Sequence, residues 1–390
     1  MDISRLKKAI VKEVDARVQP LAALSARLHA NPETAMKEKI ASETLVKFLK
    51  DNGFKVEAGI CEMPTAFRAV YGKGKPIIGF LAEYDALPKL GHACGHNLIA
   101  TASSAAGIAS KIAADQTGGT IVVYGTPGEE GDAGKAQMVE KGAFTELDAA
   151  MICHPGGGNQ VIEGALACQT LNVEFFGKAA HAAADPEAGI NALEAMILSF
   201  IGIDALRQHI KSTSRIHGII TDGGEAPNIV PAHTAGSFIV RDTEDDYLDL
   251  LKERVLNCFK GAAAATGATL KYDWAGVRYA AMRNNMVIAG LFQQNMLALG
   301  NTIPLGDTTG STGSTDVGNV SRLVPAIQPY VGIAPADVLI HSVDFEKVTG
   351  TPEALEIMLG AAKAMAMTAA DLLTDPSKLN AAREEWATAK

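Results

Sequence analysis

Apolar residues recur every three or four positions through the first fifty residues of the chain. They do so in SRLKKAIVKEVDARVQPLAALSARLHANPE and again in EKIASETLVKFLKDNGF, the spacing of one helix face. Pro20 predicts a break in the first segment, and Asn52-Gly53 a stop after the second. The period then changes. AFRAVYG, PIIGFLAEY, TIVVYGTP and AAMICHP are short apolar runs rich in branched or aromatic residues, each of strand length. Between the second and third lies NLIATASSAAGIASKIAAD, a helix of small residues suited to close packing on a sheet. Strands alternating with helices predict an α/β domain with a mostly parallel sheet.

Near residue 170 the pattern shifts again. QTLNVEFFG predicts a strand, GINALEAMILSFIGIDALRQHI a long helix, RIHGIITDGG and TAGSFIVRDT two strands, EDDYLDLLKERVLNCFKGAAAATG a second long helix and TLKYDWAG a last strand. The order β-α-β-β-α-β is the ferredoxin-like split pattern. A complete α+β domain at 170–278 is therefore expected to interrupt an α/β domain made of 1–169 and 279–390.

Composition narrows the class. The chain has 390 residues and a formal net charge of −9, with Lys and Arg scattered, so neither a nucleic-acid partner nor a basic membrane-surface helix is expected. The charged amphipathic start lacks the apolar core of a secretory signal, and no uncharged apolar stretch long enough to predict a membrane span stands out. Five widely spaced cysteines (Cys61, Cys94, Cys153, Cys168, Cys258) do not form a disulfide framework. A cytoplasmic location is the natural expectation.

Candidate chemistry gathers where strands run into loops. GFLAEYDALP leads to GHACGHN; VVYGTPGEEGDAG carries Glu129 and Glu130; AMICHPGGG places His154 at a turn; LIHSVDFE places His341 after a short apolar run. Ligands of open α/β sheets bind beyond the carboxyl ends of the strands, so these loops should converge. Thiolate, imidazole and carboxylate together suit Zn²⁺ and related divalent ions. Five candidate ligands, Cys94, His96, Glu130, His154 and His341, exceed what one tetrahedral catalytic zinc needs and suit two ions sharing a ligand, about 3.5–4 Å apart. The spare carboxylate, Glu129, is then placed to take a proton from water and pass it to a leaving amine. HACGH could instead house a catalytic thiol at Cys94, since a neighbouring His lowers a Cys pKa; that alternative leaves Glu129, Glu130, His154 and His341 without work. His92 reads as a hydrogen-bonded structural histidine.

These motifs, with GKAAHAAADPEAGINALEA, GGEAPNIVP and GSTDVGNVS, resemble in order those of the aminoacylase-like zinc peptidases. The likeness is to the amidohydrolase branch that holds hippuricases, auxin-conjugate hydrolases, p-aminobenzoyl-glutamate hydrolases and β-alanyl-lysine dipeptidases, and it is nearest the last two. The resemblance implies a phosphorylase/hydrolase-like catalytic domain and an inserted lid and dimerisation domain. It implies hydrolysis of the amide in N-acyl- or aminoacyl-amino acids, small-molecule substrates, a homodimer formed through the lid, and two divalent metal ions per subunit, Zn or Mn with Ni or Co as alternatives. By the same resemblance Cys94 bridges the ions, His96 and His154 hold one, Glu130 and His341 the other. Glu129 is the general base and Asp85 orients a ligand or the base. His181 stabilises the oxyanion, and Asn228 and Arg241 bind the substrate carboxylate, with His217 a weaker candidate. Glu83, where much of that branch has Asp, is given no role, and the Gly313–Asp316 loop is expected to line the acyl pocket. One relative working within a two-protein hydrolase leaves a non-catalytic partner subunit as a further reading.

Overall fold

The computed structural model describes residues 2–308 and 313–389. It divides into two units, Met1–Gly164 with Met282–Lys390, and Ala165–Ala281.

The first unit opens with the helix Ile3–Asp15, started by Asp2, whose side chain accepts from the amides of Ser4 and Arg5. Leu6, Ile10 and Val14, four residues apart, form its buried stripe, each worth roughly 1.5–3 kcal/mol when removed from water. The chain breaks before Val18 rather than at Pro20. Pro20 lies in the first turn of the helix Val18–His29, where a missing N–H costs no intrahelical bond. The helix Lys39–Asp51 stops at Asn52, and Gly53 takes the left-handed turn (φ +88°).

Six strands form the central sheet, in spatial order Lys55–Ala58, Phe67–Lys73, Gly119–Thr126, Ile77–Glu83, Ala149–Met151 and Ala326–Ile327. The last four run parallel, and Phe67–Lys73 pairs antiparallel on both sides. Every residue of Gly119–Thr126 is buried, as expected for a strand covered on both faces. The small-residue helix His96–Thr117 lies on this sheet, with Gly107 so close to it that a Cβ would sit 2.4 Å from Val123 Cγ2. The helix Pro352–Thr374, started by Thr351 with Pro352 in its first turn, is long and apolar enough to cross a bilayer. Within this fold, 78% of its apolar window is buried, so it reads as a core helix.

The second unit has strands Ala167–Phe176, Arg215–Asp222, His233–Asp242 and Thr269–Tyr279 and helices Ala192–Arg207 and Asp245–Thr266. The strands lie in the order fourth, first, third, second, all neighbours antiparallel, which is the ferredoxin-like arrangement. Leu171, Val173 and Phe175 alternate with exposed Asn172 and Glu174 and share a core with Phe238, Val240, Leu251, Val255 and Phe259.

Candidate functional site: a cysteine–histidine–carboxylate centre

Three parallel strands of the first unit and one turn deliver the clustered residues. Ile77–Glu83 ends on Glu83 and runs through Asp85 into the loop that carries His92 and Cys94. Gly95 (φ +80°) then turns the chain so that His96 opens its helix. A Cβ on Gly95 would lie 2.5 Å from Pro155 Cγ, so only glycine lets this loop meet the His154 loop. Gly119–Thr126 leads into the loop with Glu129 and Glu130. That loop closes where the Gly134 amide donates to the Gly128 carbonyl at 3.1 Å. Ala149–Met151 is followed by His154.

His341 arrives differently from the sequence expectation. The apolar run before it is not a strand, and Leu339 within it is 70% exposed. His341 sits in a turn before the helix Val343–Thr349, in the left-handed region (φ +67°), and its amide donates to Ala93 O at 2.9 Å. That single bond ties it to the loop bearing Cys94.

The donor atoms of Cys94, His96 and His154 lie within 4.8 Å of one another, and so do those of Cys94, Glu130 and His341, and those of His96, Glu129 and Glu130. Cys94 is common to the first two sets. Its Sγ is 3.5 Å from His154 Nε2, and Glu130 Oε1 is 3.0 Å from His341 Nε2. His96 Nδ1 donates to Asp85, whose Oδ1 and backbone oxygen both lie at 2.9 Å. His154 Nδ1 donates to Pro155 O at 2.7 Å. Both rings therefore turn Nε2 toward the cluster, the arrangement that orients metal-ligating imidazoles. His96 Nε2 is buried with no hydrogen-bond partner among the described residues, a cost that a bound cation removes. The donor set and this orphaned nitrogen fit a pair of divalent ions.

The electrostatics point the same way. Burial pulls His154 down to about 4, keeping the ring neutral. Burial pushes the Cys94 thiol well above its ordinary range in spite of His96. A divalent cation would instead hold it as thiolate. Burial alone would raise the Asp85 carboxyl, but His96, the Glu130 amide and Lys135 outweigh it and the net shift is down. The second Asp85 oxygen accepts from the Glu130 amide at 2.9 Å. Burial, then Glu83 and Asp316, push the Glu129 carboxyl well up.

Residues 79–370 match Peptidase family M20/M25/M40. The chain belongs to that family. As a member it is a hydrolase of amide bonds. It is 35% identical to the Xaa-Arg dipeptidase of Mus musculus over 99% of this chain and 93% of that protein. It is 31% identical to one of the subunits of the p-aminobenzoyl-glutamate hydrolase of Escherichia coli K12, over 95% and 93%. Among solved structures, a Bacillus subtilis dinuclear metal binding peptidase of the M20 family superimposes with a TM-score of 0.68 at 19% identity, over 92% of this chain and 99% of that one.

The remaining expected site residues of this M20 chain lie in the second unit. His181 is exposed, its Nδ1 accepting from the amides of Ala183 and Ala184. It bridges to Ile229, and the Asn228 carbonyl accepts from Ala182 at 3.0 Å, so His181 and Asn228 share one corner. Arg241 is half-buried on His233–Asp242, opposite Cys168 and Arg215. His217 is on the edge strand and its pKa is lowered by burial and then by Arg241.

Three residues beside Glu129 were given no catalytic part by the sequence. Lys135 Nζ lies 2.6 Å from both Glu83 Oε1 and Asp316 Oδ1, and all three side chains are buried. Asp316 therefore does not line an open acyl pocket; its carboxylate is spent on Lys135. A lone Lys after a glycine-rich loop has no periodicity to mark it. The signal available was its setting in GDAGKAQM, a cation among small residues next to the paired glutamates. His92 is buried with Nε2 3.2 Å from Leu28 O, a structural histidine.

Proposed function

We propose that the chain is a two-metal amidohydrolase that cleaves the amide joining an acyl or aminoacyl group to an amino acid. The observation that carries this is the sharing of Cys94 between two donor sets, one with His96 and His154, the other with Glu130 and His341. The names of the dipeptidase and p-aminobenzoyl-glutamate hydrolase relatives support the substrate class. Zn or Mn is the proposed occupant, with Ni or Co admitted by the same donors. Bound there, two such ions supply an acidified water and positive charge for the carbonyl oxygen.

The chain's own residues do the rest. Asp85 holds His96 and the Glu130 amide in place. Glu129 takes the water's proton on its carboxylate and passes it to the departing nitrogen. In this reading the second unit is the lid and dimerisation domain. His181 is the donor to the oxyanion, and Asn228 and Arg241 are the partners of the substrate carboxylate. The exposed Ile197, Leu198 and Ile201 of one helix and Ile219 and Ile220 of the edge strand support a homodimer through that unit. Five free cysteines support a reducing, cytoplasmic setting.

Chelation tests the reading. Dialysis against EDTA should abolish hydrolysis of N-acyl and aminoacyl amino acids, and Mn²⁺ or Zn²⁺ should restore it; full activity in EDTA would point to a Cys94 nucleophile, which the upward push on that thiol disfavours. Glu129→Gln should lower kcat by about 10³-fold or more with metal content unchanged. A second reading, a non-catalytic partner in a two-protein hydrolase, is favoured only by the Escherichia coli relative, which is itself named as one subunit of a larger enzyme. It predicts no turnover by the purified chain alone with its metals supplied.

A further inference from the structure

A fully buried lysine is uncommon unless its charge is matched, and Lys135 is matched twice. Its Nζ reaches Glu83 Oε1 and Asp316 Oδ1, each at 2.6 Å, and its backbone amide donates to Asp316 Oδ2 at 2.7 Å. The three side chains are 0% exposed. They come from three separate elements. Glu83 ends the strand Ile77–Glu83, Lys135 is the second residue of the helix Gly134–Glu140, and Asp316 stands directly before the helix Val317–Ser321. Lys135 follows the loop of Glu129 and Glu130 by five residues. The other oxygen of Glu83 is 3.6 Å from His96 Nε2, the orphaned donor of the centre.

Resting on the two-metal reading above, we propose that Lys135 is a positioning residue for the hydrolysis. By holding the carboxylates of Glu83 and Asp316 it fixes the loop that carries Glu129. The residue before Lys135, Gly134, closes the Glu129–Glu130 loop by donating its amide to the Gly128 carbonyl at 3.1 Å, so the anchoring of Lys135 is passed to that loop through one peptide bond. Without Lys135, two buried carboxylates lose their partner. Glu83 is then drawn toward His96 and whatever cation that ring holds, and the base shifts with the loop. Stability alone does not account for the cluster, since apolar side chains of similar size commonly replace a buried ion pair without loss.

The test uses Lys135→Met and the charge-balanced Lys135→Met/Asp316→Asn, in which the asparagine oxygen still accepts from the residue 135 amide. Melting temperature, metal per chain, kcat and KM are measured for each in the metal-loaded, full-length protein. A positioning role predicts that the double variant folds and carries the wild-type complement of metal, that kcat falls about 100-fold, the scale of a misplaced catalytic group, and that KM is little changed. It also predicts that a crystal structure of the double variant shows the Glu83 carboxylate closer to His96 Nε2 than the present 3.6 Å. Wild-type kcat in the double variant would mean that Lys135 merely offsets Asp316 and would overturn the proposal. So would a loss of rate that follows loss of metal, or failure of both variants to fold. If the wild-type protein shows no metal-dependent amide hydrolysis, the two-metal reading fails instead, a distinct result.

Discussion

Asp85 divides its carboxylate between two duties, one oxygen on His96 Nδ1 and the other on the Glu130 amide, so a single side chain orients the His96 ring and seats the loop of Glu129. Glu38 does similar work from the other side. Buried, it accepts from the amides of Met36 and Gly128, each at 2.9 Å, and from Thr65 Oγ1 at 3.0 Å. Burial pushes its carboxyl from an ordinary 4.5 up to about 7. The sign follows from linkage: a raised folded pKa gives a contribution that is full below the unfolded value and is lost as pH rises through about 7. Between pH 5 and 8, Glu38 should therefore remove roughly 2–3 kcal/mol of stability. Glu38→Gln should flatten that slope in urea unfolding at fixed metal; an unchanged pH dependence would reject the assignment. At this scale the clustering of Cys94, His96, Glu130, His154 and His341 was legible, because Cys, His and Glu in strand-end loops carry a chemical signature. Lys135 and Glu38 were not, because one charged residue in sequence does not say whether it faces water or a buried partner.

The elements were legible wherever hydrophobic period and length agreed, as in the helix His96–Thr117 and the strand Gly119–Thr126. They were misread where a local rule was overridden. Pro20 sits inside a helix because the first turn needs no donor there, and the residues before His341 form a turn although their composition suits a strand. The loop of Glu129 and Glu130 depends on a contact that sequence does not announce. A Cβ on Gly134 would lie 1.7 Å from Pro127 O, and backbone cannot yield as a side-chain tip can. Gly134→Ala should cost about 1–3 kcal/mol and weaken metal retention, measured by thermal melts and by competition with a chelator. A variant with wild-type melting temperature and affinity would show that the loop has slack.

For the whole molecule, the β-α-β-β-α-β order marked the second unit before its sheet was seen. Its span of Ala165–Ala281 extends past 170–278 because the first strand already begins at Ala167 and the last runs to Tyr279. Ile201 and Ile219, 58% and 64% exposed, are the residues on which the proposed dimer is most open to test. Ile201→Glu with Ile219→Lys should convert a dimer to a monomer in light scattering while leaving the fold of each chain intact, since neither side chain is in the core. An unchanged mass would move the interface elsewhere.

What the sequence determined by itself was the alternation of strands and helices, the inserted α+β unit and the kinds of donor at the strand ends, because periodicity and residue chemistry are local properties. What only the tertiary structure decided was which of these side chains share a neighbourhood, which nitrogen of each imidazole faces it, and that Lys135, Glu83 and Asp316 meet. Those depend on close approach between segments far apart in the chain, and close approach is set by packing and by glycines such as Gly95 and Gly134 whose need appears only once the backbones touch.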